Sequence, residues 1–221
     1  MGNVPILLMV LMAFFNCKEL AMAQAQQSKD IRLPRPVEQG EMSVEKAILK
    51  RRSIRNFSSK DLSWQAISNL LWAAQGITDA RQGLRAAPSA GALYPAEIYL
   101  LSKDGLYHYL PAEHKLETMI GKDLRKNLQE AALGQPWVGQ APIDIVICMV
   151  YERITGRYGQ RGRKYADIEV GHIAQNIHLQ AVALGLGSVP LGAFSDEEVK
   201  NALGLADDCE PVYIIPVGYP R

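Results

Sequence analysis

The sequence has almost no net charge and few of the residues that bind metals. Its 24 Lys and Arg residues stand against 23 Asp and Glu residues, a net charge of +1, and a chain without a broad basic excess predicts no nucleic-acid partner. Its four histidines and three cysteines form no CxxC or HExxH pattern. His172 and His178 share a predicted helix but point about 240° apart around it. We therefore expect no metal site.

Long hydrophobic runs are also missing, with one exception near the start. Residues 4–15 (VPILLMVLMAFF) are apolar and uncharged, yet they are shorter than the roughly 20 residues that a membrane span needs. Their length fits a signal peptide, and Ala21-Met22-Ala23 is a small-x-small cleavage site. We expect a signal peptide at residues 1–23, export to the periplasm or the medium, and no stable membrane span after processing. Lipid anchoring at Cys17 is less favoured, because the preceding Phe15-Asn16 is not small.

The rest of the chain is long enough for one domain with a sizeable core. We expect a linker at residues 24–42 and the domain at residues 43–221. Serine caps, apolar periodicity and glycine stops predict its elements. The predicted helices are 43–50, 63–75, 122–133, 167–184 and 195–204, and the predicted strands are 97–101, 106–110, 143–150 and 212–217. Their order predicts an α+β domain with a central mixed or antiparallel sheet flanked by helices.

A short basic segment at residues 50–57, KRRSIRNF, predicts a phosphate site. Arginine presents a planar fork of donors that can grip phosphate oxygens in pairs, and a serine hydroxyl adds one more donor. Because the whole chain is nearly neutral, the segment fits one small anion better than a polyanion. The alternative is an ordinary solvated basic face. The residues concerned are Lys50, Arg51, Arg52, Ser53 and Arg55.

Two further segments suit a flat cofactor. The first is residues 86–98, AAPSAGALYPAEI, and the second is GLGSVPLGAF at residues 185–194, which follows the predicted helix 167–184. Glycines in the second segment allow a backbone donor to approach a ring that a bulky side chain would obstruct. For a single glycine, ordinary turn formation is the alternative, and Gly185 fits the left-handed residue that follows a helix.

Taken together, RRSIRNF, PSAGALYP, GHIAQNIHLQAVALGLGSVPLGAF and the terminal PVGYPR resemble the nitroreductase family of FMN enzymes, and specifically its SagB-type dehydrogenase branch. The resemblance covers residues 43–221. It implies a nitroreductase-like fold, an intertwined homodimer with FMN in the interface, and hydride transfer to or from N5 of the flavin. Because such a cofactor carries the redox chemistry, the absence of a catalytic triad is no objection.

The resemblance also assigns cofactor contacts. Arg51 and Ser53 match positions that bind the FMN phosphate, and Arg55 matches a basic residue near the ribityl chain and the pyrimidine edge, where a cation stabilises the reduced ring. The loop at 88–91 matches one that reaches the flavin, in such dimers often from the other subunit. The segment 190–192 matches one that covers a ring face and offers a backbone amide to N5. The implied contacts are Arg51, Arg52, Ser53, Arg55, Pro88, Ser89, Ala90, Gly91, Pro190, Leu191, Gly192 and Arg221.

Arg221 enters that set by position alone. Many family members continue past the last strand to a basic residue that reaches the phosphate, whereas this sequence stops at Gly218-Tyr219-Pro220-Arg221. Arg221 is the residue that can take that role here. The alternative is a frayed terminus, the usual fate of a last residue.

Lys164 and Tyr165 resemble the neighbouring lysine and tyrosine that azoline-oxidising members of the SagB branch use as catalytic bases. A desolvated lysine near other cations can abstract a proton at neutral pH. The alternative is a solvated loop, because residues 157–165 are basic and contain glycine.

The resemblance therefore implies an FMN-dependent oxidoreductase, a SagB-type dehydrogenase or oxidase that acts on a small molecule or a peptide. Two alternatives stay open: an NAD(P)H-dependent nitro or quinone reductase, and a flavin-binding protein without catalysis. The predicted export argues against the first alternative, since nicotinamide cofactors are scarce outside the cytoplasm. No residue in the sequence identifies the substrate.

Overall fold

A seven-stranded antiparallel sheet forms the centre of the molecule. The computed structural model describes residues 30–221, so the predicted signal peptide at 1–23 lies outside the described residues. The strands are β1 (Ile31–Arg32), β2 (Ile77–Asp79), β3 (Leu84–Arg85), β4 (Ala96–Ser102), β5 (Gly105–Leu110), β6 (Lys115–Ile120), β7 (Ile143–Met149), β8 (Gly187–Ser188) and β9 (Glu210–Gly218). The sheet order is β1-β6-β5-β4-β7-β9-β8, and β2 and β3 pair separately. The predicted α+β class is thus confirmed, with an antiparallel sheet.

Seven α-helices flank this sheet in the described part of the chain. They are α1 (Val44–Lys50), α2 (Trp64–Gln75), α3 (Arg125–Ala131), α4 (Pro136–Gln140), α5 (Glu152–Tyr158), α6 (Arg161–Ala183) and α7 (Asp196–Leu203). The predicted serine caps are confirmed, because Ser43, Ser63 and Ser195 each accept a hydrogen bond from a backbone amide in the first turn of their helix. Gly204, with φ +61°, closes α7 as predicted.

Every residue of β7 is buried, as its largely apolar sequence predicts, although Asp144 interrupts the apolar run. It pairs with β4 on one side and with β9 on the other. The predicted hairpin of β4 and β5 is also confirmed, with Ser102 paired to Gly105 at the turn. β6 was not predicted from the sequence, because only Leu116 of its six residues is buried and the polar residues around it hide the alternation.

The long helix α6 packs against strands β4, β8 and β9 of the sheet and against helix α2. Its buried stripe contains the predicted apolar residues Val170, Ile173, Ala174, Ile177 and Ala181. It begins at Arg161, six residues before the predicted start at 167. Although α6 has 23 residues, no helix among the described residues is both long and apolar enough to cross a membrane.

The loop interpretation of residues 157–165 is wrong. The chain there completes α5, turns at Gly159 with φ +54° and enters α6. A Cβ at Gly162 would lie 3.0 Å from the carbonyl carbon of Ile154. The glycine therefore allows close packing of two helices, which a sequence cannot distinguish from a flexible loop.

Residues 31–37, part of the predicted linker, pack on the domain. β1 pairs with β6, and the side chain of Leu33 is in the core. The Asn69 side chain hydrogen-bonds to both the amide and the carbonyl of Val37, at 3.3 and 3.0 Å. This segment therefore extends the domain on its N-terminal side.

Asp144, the second residue of β7, is a buried charge-bearing residue. It is fully buried, and neither of its carboxylate oxygens has a hydrogen-bond partner in the described structure. Burial raises its pKa well above the ordinary value, although nearby Arg125 opposes the shift. The native state thus holds this proton more tightly than the unfolded chain.

This proton gives a testable stability effect. A carboxyl whose pKa is raised on folding stabilises most below its unfolded pKa, and that contribution is lost as pH rises towards the folded pKa. We expect Asp144→Asn to match the wild type near pH 4 and to exceed it by about 1–3 kcal/mol near pH 8. Urea unfolding at both pH values measures this. A stability difference that is constant with pH contradicts a neutral Asp144.

Candidate functional site

The predicted phosphate segment lies beside β8. Ser53 forms a parallel bridge with Ser188, and the amide of Ile54 donates to the carbonyl of Ser188 at 3.0 Å. Directly after β8, Leu191 exchanges backbone hydrogen bonds with Ile214 of β9, at 2.9 and 3.1 Å. Two of the segments predicted to hold a cofactor are therefore adjacent at one edge of the sheet.

Glycine makes this approach possible at position 187. A Cβ there would lie 2.7 Å from Cβ of Ile54, an atom fixed by the backbone. Gly187 therefore allows β8 to pack against the phosphate segment. Gly192 is exposed, with only the Tyr213 ring within 4 Å of a Cβ built there, so its backbone is open to a ligand. Gly185, with φ +71°, is the predicted left-handed residue after α6.

The C-terminus joins the same group of segments. The amide of Arg221 donates to the carbonyl of Asn56 at 3.1 Å, and the amide of Ser58 donates to the carbonyl of Tyr219 at 2.9 Å. Arg221 is therefore tied to the phosphate segment through its backbone. Its side chain is exposed. We call residues 51–57, 187–192 and 219–221 the phosphate half of the site.

The three arginines of the phosphate segment differ in their surroundings. Arg51 is half-buried. The Arg52 guanidinium turns back on its own helix end and donates to the carbonyls of Leu49 and Arg51 at 3.2 and 2.6 Å. The Arg55 guanidinium lies 5.5 Å from the centre of the Trp137 ring. Arg51 and Arg55 are thus better placed than Arg52 to meet a ligand.

His178 contacts the phosphate half through Ser188, although from the sequence it was considered only as a metal ligand. It is 4% exposed, and its Nδ1 lies 2.7 Å from the hydroxyl of Ser188. Burial, together with the charge of Arg51, lowers the pKa of His178 to about 4. The imidazole is therefore neutral at physiological pH, and it fixes Ser188 without repelling Arg51.

The loop at 88–91 lies elsewhere, against α5 and α6. A cavity of about 270 Å³ lies between the loop and α6. It is lined by Pro88, Ser89, Ala90, Tyr165, Ile168, Glu169 and His172. We call this the loop cavity. Gly91 has φ +64°, and a Cβ there would lie 2.7 Å from the Tyr158 hydroxyl and 3.0 Å from Nη1 of Arg157. Only glycine suits both the conformation and the space.

The two predicted catalytic residues, Lys164 and Tyr165, lie in different environments. Tyr165 lines the loop cavity, and its ring meets that of Tyr158 edge to face at 5.3 Å. Lys164 is exposed and has no hydrogen bond or ion pair with any described residue. The side-chain ends of Tyr158 and Arg157 border Gly91 of the loop.

The loop cavity and the phosphate half contact α6 at different points. His172 lies 3.4 Å from the carbonyl of Pro88, whereas His178 contacts Ser188. Six residues of helix correspond to roughly 9 Å of rise and 240° of rotation. Within one chain, the predicted flavin loop and the predicted phosphate segment therefore face different sides of α6.

Another cavity, of about 400 Å³, lies between α1, α2 and α6. None of the residues predicted to contact the cofactor lines it. Its lining is largely apolar and includes Val44, Trp72 and Leu179. In the described residues, no group of three or more His, Cys, Asp and Glu residues is arranged to hold a metal ion.

The chain is similar to known proteins in sequence and in fold. A model of the Nitroreductase family matches residues 48–219. The protein named "Putative nitroreductase MJ1384" from Methanocaldococcus jannaschii is 41% identical over 184 residues, which cover 80% of this chain and 91% of that protein. The microcin B17-processing protein McbC of Escherichia coli is 30% identical over 162 residues, which cover 68% of this chain and 60% of McbC.

The fold has a solved counterpart as well. The crystal structure of a protein from Ralstonia eutropha JMP134, described as a nitroreductase, superposes with a TM-score of 0.81 at 29% identity. The superposition covers 89% of this chain and 91% of that one. The strand order and the helices of the present chain are therefore those of an established fold.

Proposed function

The chain belongs to the nitroreductase family of oxidoreductases, and from this we propose that it is an FMN-dependent enzyme of the SagB type. The observation that carries the proposal is the phosphate half of the site. Arg51, Arg55 and Arg221 come from two separate segments that run side by side, and none forms an ion pair with a described carboxylate. Cations gathered without a counter-ion fit a bound anion.

The donor set fits FMN. Arg51 and the exposed hydroxyl of Ser53 would hold the phosphate through charge-assisted hydrogen bonds. Arg55, placed over Trp137, would stabilise negative charge on the pyrimidine side of the reduced ring. The backbone of 190–192 would cover one ring face, since Gly192 leaves it open. When bound, FMN supplies the two-electron hydride chemistry, and these residues bind and orient it.

We further propose that the complete site needs two copies of the chain. The loop at 88–91 lies on a different side of α6 from the phosphate half, so one chain carries two half-sites. In a twofold dimer, the loop of one subunit would complete the phosphate half of its partner. The resemblance of the sequence motifs to the nitroreductase family implies a homodimer with FMN in its interface, and that implication supports this arrangement.

Subunit complementation tests the shared site. Arg51→Ala disables the phosphate half and Gly91→Val disables the loop, so each homodimer should retain little FMN. Mixing equal amounts of the two variants and refolding them should restore about a quarter of the wild-type FMN content. About half of the dimers are then mixed, and each mixed dimer regains one intact site of two. The ratio of FMN to protein after desalting measures this. If the mixture retains no more flavin than its components, the two half-sites do not combine across subunits.

The source of electrons separates two candidate functions. The proposed export makes a nicotinamide donor scarce, which favours a dehydrogenase reoxidised by oxygen, a quinone or a partner protein. McbC, named as a microcin-processing protein, is 30% identical and supports a SagB-type role on a peptide. The 41% identity to MJ1384, which carries the name of a nitroreductase, supports a nitroreductase as the second candidate.

Anaerobic spectroscopy decides between them. The FMN-loaded protein is mixed in turn with NADPH, NADH and a thiazoline-containing peptide, and the visible flavin bands are followed. Bleaching by the peptide but not by the nicotinamides is the result expected of a SagB-type dehydrogenase. Rapid bleaching by NADPH or NADH with no response to the peptide would replace it with the nitroreductase candidate.

A further inference from the structure

Glu169 is a buried acidic side chain at the loop cavity. It is 1% exposed and is one of the residues that line the cavity. Its Oε1 accepts a hydrogen bond from Nε2 of Gln75 at 3.1 Å, whereas its Oε2 has no partner in hydrogen-bond geometry in the described structure. The Ser89 side chain and the Ala96 backbone are nonetheless close enough to lower the pKa of Glu169 and favour its ionised form. A buried carboxyl group with one oxygen unpartnered is costly, and such groups are concentrated at functional sites.

The groups around Glu169 come from three other parts of the fold. Gln75 ends α2, Ser89 belongs to the predicted flavin loop, and Arg85 reaches Oε1 of Gln75 from β3 at 3.3 Å. Tyr165 and His172 are the titratable groups that share the loop cavity with Glu169 on α6. Arg85 therefore meets Glu169 through the Gln75 amide and forms no ion pair with it.

These surroundings leave the carboxyl group able to carry a proton. Burial raises the pKa of Glu169, although Ser89, Gln75 and Arg85 all favour the ionised form. An acid whose pKa is shifted towards neutrality can both give and accept a proton near working pH. The same loop that borders the cavity is the one predicted to reach the flavin. A ligand in the loop cavity would thus meet a proton carrier beside the redox cofactor.

We propose that Glu169 exchanges a proton with a substrate bound in the loop cavity, in the same turnover in which that substrate exchanges a hydride with the flavin. The inference rests on the proposed function. In oxidation, the C–H bond of the substrate would break and its electron pair would leave as hydride to the bound oxidised flavin, while a neighbouring N–H, O–H or acidic C–H would give its proton to the Glu169 carboxylate. The product would gain a C=N, C=O or C=C double bond.

The reverse direction balances in the same way. With a bound reduced flavin as the hydride donor, protonated Glu169 would supply the proton to the neighbouring nitrogen, oxygen or carbon. The substrate is therefore a molecule in which one bond to the reacting carbon alternates between single and double, such as the ring C–C bond of a thiazoline or the carbon–heteroatom bond of an amine or an alcohol. A substrate that only accepts electrons, such as a quinone in one-electron steps, would have no use for Glu169.

The test compares Glu169→Gln with Asp144→Asn. Both substitutions replace a buried carboxyl by an amide of the same shape, but Asp144 lies outside the site. We expect E169Q to slow the hydride half-reaction by about 10²- to 10⁴-fold and to remove one ionisation from its pH profile, with FMN affinity changed by less than about 3-fold. D144N should keep the wild-type rate and profile. Glu169→Asp, which retains a carboxyl, should recover part of the rate with a shifted profile.

Infrared spectroscopy of the flavin-free protein gives a second readout. Near pH 6, an ordinary glutamate is ionised, so a carboxylic-acid C=O band that disappears in E169Q would show a protonated Glu169. A wild-type rate and pH profile in E169Q overturn the inference while leaving the proposed function intact. If the wild-type protein itself retains no FMN, the proposed function fails, and proton exchange with a flavin substrate fails with it.

Discussion

Replacing Arg51 by alanine is expected to weaken FMN binding by about 10- to 100-fold, the amount that a lost charge-assisted hydrogen bond to phosphate accounts for. Arg51 lies beside Ser53 in the phosphate segment and has no described carboxylate partner. The phosphate is therefore the charge it is expected to meet. Titration of the flavin-free protein with FMN, followed by fluorescence quenching, measures the change in Kd.

Two controls make the Arg51 result specific. Arg52→Ala removes the same charge one residue away, but the Arg52 guanidinium is bonded to the carbonyls at its own helix end, so we expect a change below about 3-fold. Riboflavin lacks the phosphate, so its affinity should be nearly equal in wild type and R51A. Equal losses for FMN and riboflavin would mean that Arg51 acts on the ring or on the fold.

Gly187→Ala is expected to have the second large effect, because it separates the two segments that form the phosphate half. The added methyl would lie 2.7 Å from Cβ and 2.8 Å from Cγ2 of Ile54, which is closer than two non-bonded carbon atoms can approach. Either β8 or the phosphate segment must shift. We expect a loss of about 1–3 kcal/mol in the free energy of unfolding, typical of overpacking, together with at least a tenfold loss of FMN affinity.

Gly171→Ala is the matched control. Gly171 lies in α6, and a Cβ there meets nothing within 4 Å. Alanine favours a helix over glycine by up to about 1 kcal/mol, so G171A should bind FMN normally and unfold at equal or higher urea concentration. Retention of full FMN affinity by G187A would show that the contact between β8 and Ile54 does not shape the site.

Local signals in the sequence account for most of the fold. Ser43, Ser63 and Ser195 begin helices because their side chains satisfy free amides in the first turn, an interaction that needs no tertiary contact. β7 is identified by its apolar run, which only Asp144 interrupts. β1 and β6 escape prediction because neither has a clear hydrophobic pattern: β1 is an edge strand of two residues, and only Leu116 is buried in β6.

The candidate site was likewise predicted from the sequence only in part. The basic segment and the glycine segment carry recognisable chemistry, and the fold brings them together. Glu169 and His178 were missed because each lies beside an apolar stripe on α6, and a periodicity analysis counts only the apolar members. Their burial and partners depend on α2, β8 and the loop at 88–91, which meet only in three dimensions.

The visible spectrum of residues 24–221, the predicted mature chain, tests whether the protein is a flavin enzyme of the nitroreductase family. The protein is incubated with FMN, desalted and measured. We expect about one retained FMN per chain in a twofold dimer, with the bands of a bound oxidised flavin that bleach on anaerobic reduction. A colourless protein with no retained flavin would contradict it.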